Sequence, residues 1–181
     1  MVSVDEGIRF DASLESLSGL KTLSEKGVLT AGSSSQICDG AAAVMIVNDA
    51  GLKKLGINPR AKIVSLALAG DDPVIMLTGP IPASKTVLDK ANLSINDIDI
   101  YEVNEAFAPV PLAWAHELKA NKEKLNVNGG AMALGHPLGG TGAKLMTTLL
   151  HELERREGKY GLQAICEGGG TANAMIIERM S

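Results

Sequence analysis

Segments of strand length alternate with segments of helix length along most of the chain after residue 58. The predicted strands cover residues 61–68, 98–103, 162–166 and 174–178, and the predicted helices cover residues 82–91, 105–119 and 143–156. An apolar stripe of five residues at helical spacing makes the last of these helices the clearest. We expect Glu152 and Arg156 to form an i,i+4 ion pair on its solvent-exposed side. Such alternation is typical of an α/β domain, in which helices pack on a sheet.

The pattern is weaker in the first 57 residues. An apolar run at 41–47 predicts a buried strand, and residues 49–55 predict a short helix that ends at Gly56. Residues 31–40 are small and polar, as in a loop. A short helix near Ser13 is also expected, because Leu14, Leu17 and Leu20 share one helical face.

Composition excludes several classes of protein. The chain has 181 residues, with 17 basic and 21 acidic side chains, so its net charge of −4 argues against a nucleic-acid partner. Its longest apolar run, at 41–47, is too short to span a membrane, and the charged first 20 residues do not resemble a signal peptide. Two cysteines are too few for a disulfide scaffold. We therefore expect a cytoplasmic protein that binds neither membrane nor nucleic acid.

Three short segments place a polar or titratable side chain beside glycines at a predicted strand end or before a helix. They contain Asn104, His136 and Cys166. In an open α/β sheet, ligands bind at the edge where the strands end. Each residue also has an ordinary structural interpretation: Asn104 as a helix cap, His136 as a hydrogen-bonded loop residue and Cys166 as a small buried side chain. The combination of all three favours a site.

The three side chains together suit chemistry on a thioester. A cysteine beside consecutive backbone N–H groups can have a lowered pKa and exchange protons near neutrality. A nearby histidine can act as a base, and an asparagine amide or a glycine N–H can stabilise an oxyanion. This set of groups fits carbon–carbon bond formation or cleavage on a thioester.

The motifs that carry these residues resemble the three C-terminal signatures of the thiolase family. They are NEAFA at 104–108, GHP at 135–137 followed by GGTGAK, and CEGGG at 166–170. Upstream, VDEGIR at 4–9 and TAGSSSQICDGAAAV at 30–44 resemble the stretch that joins the family's loop domain to the end of its first core domain. The resemblance covers nearly the whole chain.

The resemblance implies a fold and an activity. Residues 58–181 would form a layered α/β core domain of the βαβαβαββ type, which is half of an αβαβα sandwich. Residues 1–57 would be a remnant of the loop domain and of the N-terminal domain. Thiolases interconvert 3-ketoacyl-CoA plus CoA with acetyl-CoA and a shortened acyl-CoA, so coenzyme A thioesters are expected as substrates, with no metal and no other cofactor.

The resemblance also assigns catalytic roles. His136 matches the histidine that deprotonates the nucleophilic cysteine and contributes to a first oxyanion hole, in which Asn104 matches the residue that holds a water. Cys166 matches the cysteine that exchanges the α-proton of acetyl-CoA. The N–H of Gly168 matches a donor of the second oxyanion hole. The matched coenzyme A contacts are Ser35, Ala31, Phe107, Arg9 and Ser16.

Two departures from the family pattern matter. Members of the family carry their nucleophilic cysteine in the first half of a longer chain, and Cys38 lies in a segment whose counterpart is not catalytic. Ser33 stands where the family usually has Asn, which puts the hydrogen bonding of that loop in question.

A half of the family fold exposes an apolar face built for burial. We therefore expect a partner: a separate N-terminal half, a second copy of the chain, or none if these residues are part of a longer polypeptide. The alternative function is a catalytically silent module for acyl-CoA binding or assembly.

Overall fold

A computed structural model describes residues 3–180 of the chain. The helices are α1 (Leu14–Ser18), α2 (Asp49–Leu55), α3 (Pro80–Ala91), α4 (Pro109–Leu118), α5 (Ala131–Leu134) and α6 (Thr141–Arg156). The strands are β1 (Ala61–Gly70), β2 (Ile100–Val103), β3 (Tyr160–Cys166) and β4 (Thr171–Arg179). Among the helices of residues 3–180, none combines the length and apolar character that a membrane crossing requires.

The four strands form one mixed sheet in the order β1-β4-β3-β2. Strands β2 and β3 run parallel, whereas β4 is antiparallel to both of its neighbours. Because β2 and β3 are parallel, their C-terminal ends lie at the same edge of the sheet. A tight turn at 167–170 joins β3 to β4. This edge therefore collects the segments that follow Val103 and Cys166.

Helices cover both faces of the sheet. On one face α3 and α4 pack over the larger core, in which Trp114 is fully buried and its indole N–H donates to Ser84 Oγ at 2.8 Å. The rings of Trp114 and Tyr101 lie 5.3 Å apart in a tilted arrangement that aromatic pairs favour. On the other face α6 packs through Leu149 and Leu153 on Ile100 and Ile177. The sequence prediction of an α/β layered domain is confirmed.

The element boundaries follow from local chemistry. Helix α2 ends at Gly56, which adopts the left-handed conformation, as the sequence predicts. Helix α4 begins at Pro109 rather than at residue 105, because Pro109 and Pro111 are tolerated only in a first turn, where a backbone N–H has no helical partner. Helix α6 begins two residues before its predicted start.

The predicted strand at 41–47 is wrong. This segment has no regular secondary structure, and Val44, Met45 and Ile46 are 45–72% exposed. No strand within residues 3–180 lies beside it, so the segment has no sheet to join. A βαβαβαββ core would also place a further strand before α6, and there the structure has a single bridge between Tyr101 and Leu125.

The expectation that Glu152 and Arg156 pair on the wet side of α6 is half right. The ion pair forms, and Arg155 donates to the same carboxylate. However, Glu152 is only 2% exposed. The bonds from Arg155 lower the pKa of Glu152 to about 2, although burial opposes them, and the Asn128 amide supports the same direction.

A second buried carboxyl, Glu102 on β2, lacks such partners. It is fully buried, and neither of its oxygens has a hydrogen-bond partner among the described residues. Gln163 lies beside it in the parallel register and has an unpartnered Oε1. Burial, and then the charges of Glu105 and Glu152, raise the pKa of Glu102 from 4.5 to about 8. Glu102 is therefore a neutral acid at pH 7.

Replacing this carboxyl should change how stability depends on pH. With a pKa raised in the folded state, Glu102 contributes stability that is fully present below pH 4.5 and is lost as pH rises through about 8. Between these values its contribution to the free energy of unfolding falls by about 1.4 kcal/mol per pH unit. We expect Glu102→Gln to remove this slope in urea unfolding measured from pH 4.5 to 8.5.

The exposed carboxyl of Glu123 provides a matched control, since Glu123→Gln should leave the pH dependence of the parent chain intact. An unchanged slope in Glu102→Gln would mean that Glu102 is ionised in the folded chain.

Candidate active site

Asn104 lies immediately beyond the end of β2, against the end of β3. Its backbone N–H donates to the carbonyl of Ala164 at 3.0 Å, which extends the parallel pairing by one residue. Its side chain is 1% exposed, and neither amide atom has a hydrogen-bond partner among residues 3–180. Asn104 does not cap α4, which begins five residues later. A buried amide without a partner is costly, so this one is suited to a ligand or a water.

His136 lies between α5 and α6. Its backbone N–H donates to the carbonyl of Gln36 at 2.7 Å, and its Nδ1 lies 2.6 Å from Thr141 Oγ1. The Thr141 hydroxyl has one proton, which it donates to the carbonyl of Pro137 at 3.1 Å. Both contacts are satisfied when Nδ1 carries the imidazole proton, which leaves Nε2 as a free base. Burial, followed by the charge of Lys144, lowers the pKa of His136 and favours this neutral form.

Residues 33–37, which we call the linking segment, join the loop of Asn104 to the loop of His136. On one side, the Ser35 N–H donates to Ala106 O at 3.0 Å and the Ala108 N–H donates to Ser33 O at 2.9 Å. On the other side lies the bond from the His136 N–H to Gln36 O. One short segment therefore fixes two of the three predicted catalytic loops relative to each other.

Ser33, the first residue of the linking segment, also ends the short turn that begins at Ala31. Its hydroxyl accepts from the Thr30 N–H at 2.9 Å and donates to the Thr30 carbonyl at 3.2 Å. The Ser34 hydroxyl also donates to the Thr30 carbonyl, at 2.8 Å, so two small polar side chains hold this turn.

Cys166 is the last residue of β3 and is partly buried. Burial raises the pKa of its thiol, and the charge of Glu167 raises it further, while its own backbone N–H has the opposite effect. Neighbouring backbone N–H groups were expected to lower this pKa, but burial outweighs the one that acts on the thiol, that of Cys166 itself. Glu167 is held in place because its carboxylate accepts from Asn173 Nδ2 at 2.5 Å and from Thr171 Oγ1 at 3.0 Å.

The turn after Cys166 has free space at one position and a close backbone contact at another. A Cβ on Gly168 would meet no atom within 4 Å, so a substrate can approach its backbone. Gly170 has a φ of +84°, and a Cβ there would lie 2.5 Å from Asp71 O. The loop after β1 therefore packs on this turn, a contact that the sequence did not predict.

The first turn of α6 connects the His136 loop to the Cys166 strand. Thr141 bonds the imidazole, and a Cβ on the next residue, Gly142, would lie 3.3 Å from Ile165 Cδ1. Ile165 immediately precedes Cys166. The Asn104, His136 and Cys166 segments are thus joined by direct contacts at one region of the sheet edge.

Glu105 is a residue of the site that the sequence analysis missed. Its carboxylate is buried and accepts from Asn126 Nδ2 at 2.8 Å and from the Met132 N–H at 3.1 Å. Gly130 is required opposite it, because a Cβ there would overlap the carboxylate. Glu105 therefore ties the Asn104 loop to the segment that leads to His136. The sequence feature that could have identified Glu105 is its position next to Asn104.

The residues matched to coenzyme A contacts lie in the linking segment, in the turn before it, or in contact with one of the two. Phe107 forms an antiparallel bridge with Ser34, and the Arg9 guanidinium donates to Gln36 Oε1 at 2.8 Å. Ala31 lies in the turn before the linking segment. Ser16 lies in α1, which packs against that turn. A Cβ added to Gly32 of the turn would lie only 2.6 Å from Leu17 Cδ2 of α1. Arg9, Ser16 and Ala31 are exposed.

The state of the Cys166 thiol can be tested by alkylation. Because burial and Glu167 raise its pKa, we expect Cys166 to react with iodoacetamide mainly at alkaline pH. Glu167→Gln removes one of these causes and should shift the rise in rate to lower pH. Mass spectrometry that resolves the two cysteines gives the rate at each pH. Glu117→Gln, on the exposed side of α4, should have no effect, and an unchanged profile in Glu167→Gln would contradict the assignment.

Comparison with known proteins identifies the family. Residues 57–179 match the family model for the thiolase C-terminal domain, and residues 1–50 match that for the thiolase N-terminal domain. A steroid 3-ketoacyl-CoA thiolase of Mycobacterium tuberculosis is 59% identical over 177 residues, which are 98% of this chain and 43% of the relative. An acetyl-CoA acetyltransferase of Cupriavidus necator is 47% identical, over 97% of this chain and 45% of the relative.

Comparison with solved structures supports the same family. The crystal structure of human mitochondrial 3-ketoacyl-CoA thiolase superposes with a TM-score of 0.93 at 47% identity, covering 98% of this chain and 45% of that chain. A structure of human mitochondrial 3-ketoacyl-CoA thiolase in complex with CoA superposes with a TM-score of 0.90 at 45% identity, covering 99% and 46%. The chain spans less than half the length of these relatives. The chain belongs to the thiolase family.

Proposed function

We propose that these residues form the C-terminal half of an acyl-CoA C-acetyltransferase, which cleaves 3-ketoacyl-CoA with CoA in a reversible reaction. The observation that carries the proposal is the linking segment, whose hydrogen bonds fix the Asn104 and His136 loops beside each other. An unpaired buried amide and a free imidazole nitrogen are then available to one substrate. Both cysteines are free, as in the reducing cytoplasm where we place this activity.

In cleavage, a cysteine thiolate from outside these 181 residues attacks the 3-keto carbon of the substrate. His136 Nε2 takes the proton of that thiol, and the resulting imidazolium, with a water held by Asn104, stabilises the oxyanion. The bond between C2 and C3 then breaks. Its electron pair passes to the acetyl-CoA enolate, which the Gly168 N–H stabilises and Cys166 protonates at carbon.

The second half-reaction restores the groups of the site. The incoming CoA thiol gives its proton to the Cys166 thiolate and attacks the acyl-cysteine. The products are a shortened acyl-CoA and the nucleophile, which leaves as a thiolate and takes its proton back from the His136 imidazolium. Cys166 acts as an acid in one half-reaction and as a base in the other, which requires a pKa near the working pH. In synthesis the same steps run in reverse.

The nucleophile must come from another part of the enzyme, because neither cysteine of this chain matches the family's nucleophile. The apolar segment at 41–47 and the side chains of Leu66 and Leu68 on β1 are exposed and suit an N-terminal core domain as the covering partner. Coenzyme A would contact Arg9, Ser16, Ala31, Ser35 and Phe107.

The 181-residue chain alone should not cleave acetoacetyl-CoA, since it cannot form the acyl-cysteine. Joined in one polypeptide to the N-terminal part of the Mycobacterium tuberculosis relative, it should become active. A coupled assay of acetyl-CoA release measures both. Activity of the isolated chain that is lost in Cys38→Ser would make Cys38 a nucleophile and overturn this assignment. Binding of CoA by an inactive, well-folded chimera would favour the silent binding module.

Cys166→Ser should separate the two chemical steps in the active chimera. Acyl transfer from an acyl-CoA to the nucleophile should remain detectable by mass spectrometry, because a CoA thiolate can leave with less help from an acid than proton transfer at carbon requires. The carbon–carbon step should fall by about 10²- to 10⁴-fold, the usual contribution of a general acid–base group. Cys38→Ser should preserve both steps. An equal loss of both in Cys166→Ser would show that Cys166 maintains the architecture of the site.

A further inference from the structure

Lys144 makes two hydrogen bonds to the loop that ends at His136. It lies in the first turn of α6, and its Nζ donates to Leu134 O at 2.8 Å and to Gly135 O at 2.9 Å. These are the two carbonyls that immediately precede His136. Gly135 has a φ of +79°, so the chain reverses between α5 and His136. Lys144 thus holds the backbone at the turn that places the imidazole.

Lys144 forms no ion pair among the described residues. Among the described residues, no carboxylate oxygen lies within 4.0 Å of its Nζ. Asp39 and Cys38 line the same cavity of about 280 Å³ as Lys144 and Pro137, and they are the other titratable groups on that side. The uncharged Thr141 is the side chain that hydrogen-bonds the imidazole within the described residues.

We propose that Lys144 is a positioning residue for His136: its two hydrogen bonds fix the turn that carries the imidazole, and its ammonium group is a permanent positive charge beside the ring. This inference rests on the proposed role of His136 as the base. Lys144 contacts neither the reacting atoms nor the imidazole through a hydrogen bond, so it acts through the backbone and through its field.

The two contributions have different physical consequences. The hydrogen bonds restrict where Nε2 lies, because the turn cannot shift without losing both. The charge disfavours the imidazolium, which adds to the effect of burial in lowering the pKa of His136. A base that is neutral at lower pH can accept a proton over a wider pH range.

Variants at position 144 separate charge from hydrogen bonding. Lys144→Gln keeps a donor but removes the charge, Lys144→Arg keeps both, and Lys144→Met removes both. Lys90→Met is a matched control, because Lys90 Nζ also donates to a carbonyl, that of Leu66 at 3.0 Å, on a different element. The readout is NMR titration of the histidine rings in the 181-residue chain, with His116 and His151 as internal references.

We expect Lys144→Gln and Lys144→Met to raise the pKa of His136, and Lys144→Arg and Lys90→Met to leave it unchanged. The references should not move in any variant. Titration of His136 that is the same in all four variants would overturn the electrostatic part of the inference. If Lys144→Met fails to fold, the comparison of Lys144→Gln with Lys144→Arg still decides it.

The active chimera tests positioning. Loss of the two Lys144 hydrogen bonds in Lys144→Met should lower kcat by about 10- to 100-fold, as expected when a base is displaced by about 1 Å. The acid limb of the kcat/KM profile should move to higher pH in Lys144→Gln and return in Lys144→Arg. An unchanged kcat in Lys144→Met would overturn the positioning role. The chimera could be inactive with each residue tested at position 144, including Lys, while NMR still shows the expected changes in the pKa of His136. That result would refute the proposed function and leave the electrostatic inference intact.

Discussion

The parallel pairing of β2 with β3 is the constraint on which the rest of the site depends. It sets Asn104 against the end of β3 and puts Cys166 at the same edge. An antiparallel arrangement would send these residues to opposite edges of the sheet. The pairing is stabilised by full burial of all four residues of β2 between two helical layers. The core therefore determines where the chemistry can occur.

The linking segment shows why residues from the two family domains belong to one functional unit. Apart from Ser33, which ends a single 3-10 turn, it has no regular secondary structure beyond isolated bridges, yet its backbone satisfies donors and acceptors of two loops. Both loops leave buried elements with unpaired backbone groups, which need partners. A segment that supplies those partners fixes the distance between the loops. The chain before β1 thus contributes to the site through hydrogen bonds rather than through catalytic side chains.

The sequence predicted the helices and strands of the core because their periodicity reflects burial on one face or two. The same logic failed at 41–47, where no strand of the described residues lies beside the apolar run. Periodicity shows that a segment suits burial, but it does not show whether a strand is present to pair with it. The roles of Glu105 and Lys144 were not predicted because they depend on partners 21 to 27 residues and 9 to 10 residues away, across turns whose path the sequence does not state. Glu152 was placed on the surface because a charged pair at i,i+4 usually lies there.

The direction of the pKa shifts has a consequence for assembly. Covering the exposed apolar face further desolvates the sheet edge, and desolvation alone raises the pKa of Cys166 still more. Within the described residues, only its own backbone N–H opposes that change. Under the proposed function, the Cys166 thiol must ionise during turnover, so it needs further stabilisation of its anion from the covering half, as N–H donors or positive charge. His136 has the opposite requirement, because burial favours its neutral form. The covering half must therefore place N–H donors or positive charge close to Cys166, because an apolar surface alone would only raise the pKa of this thiol further.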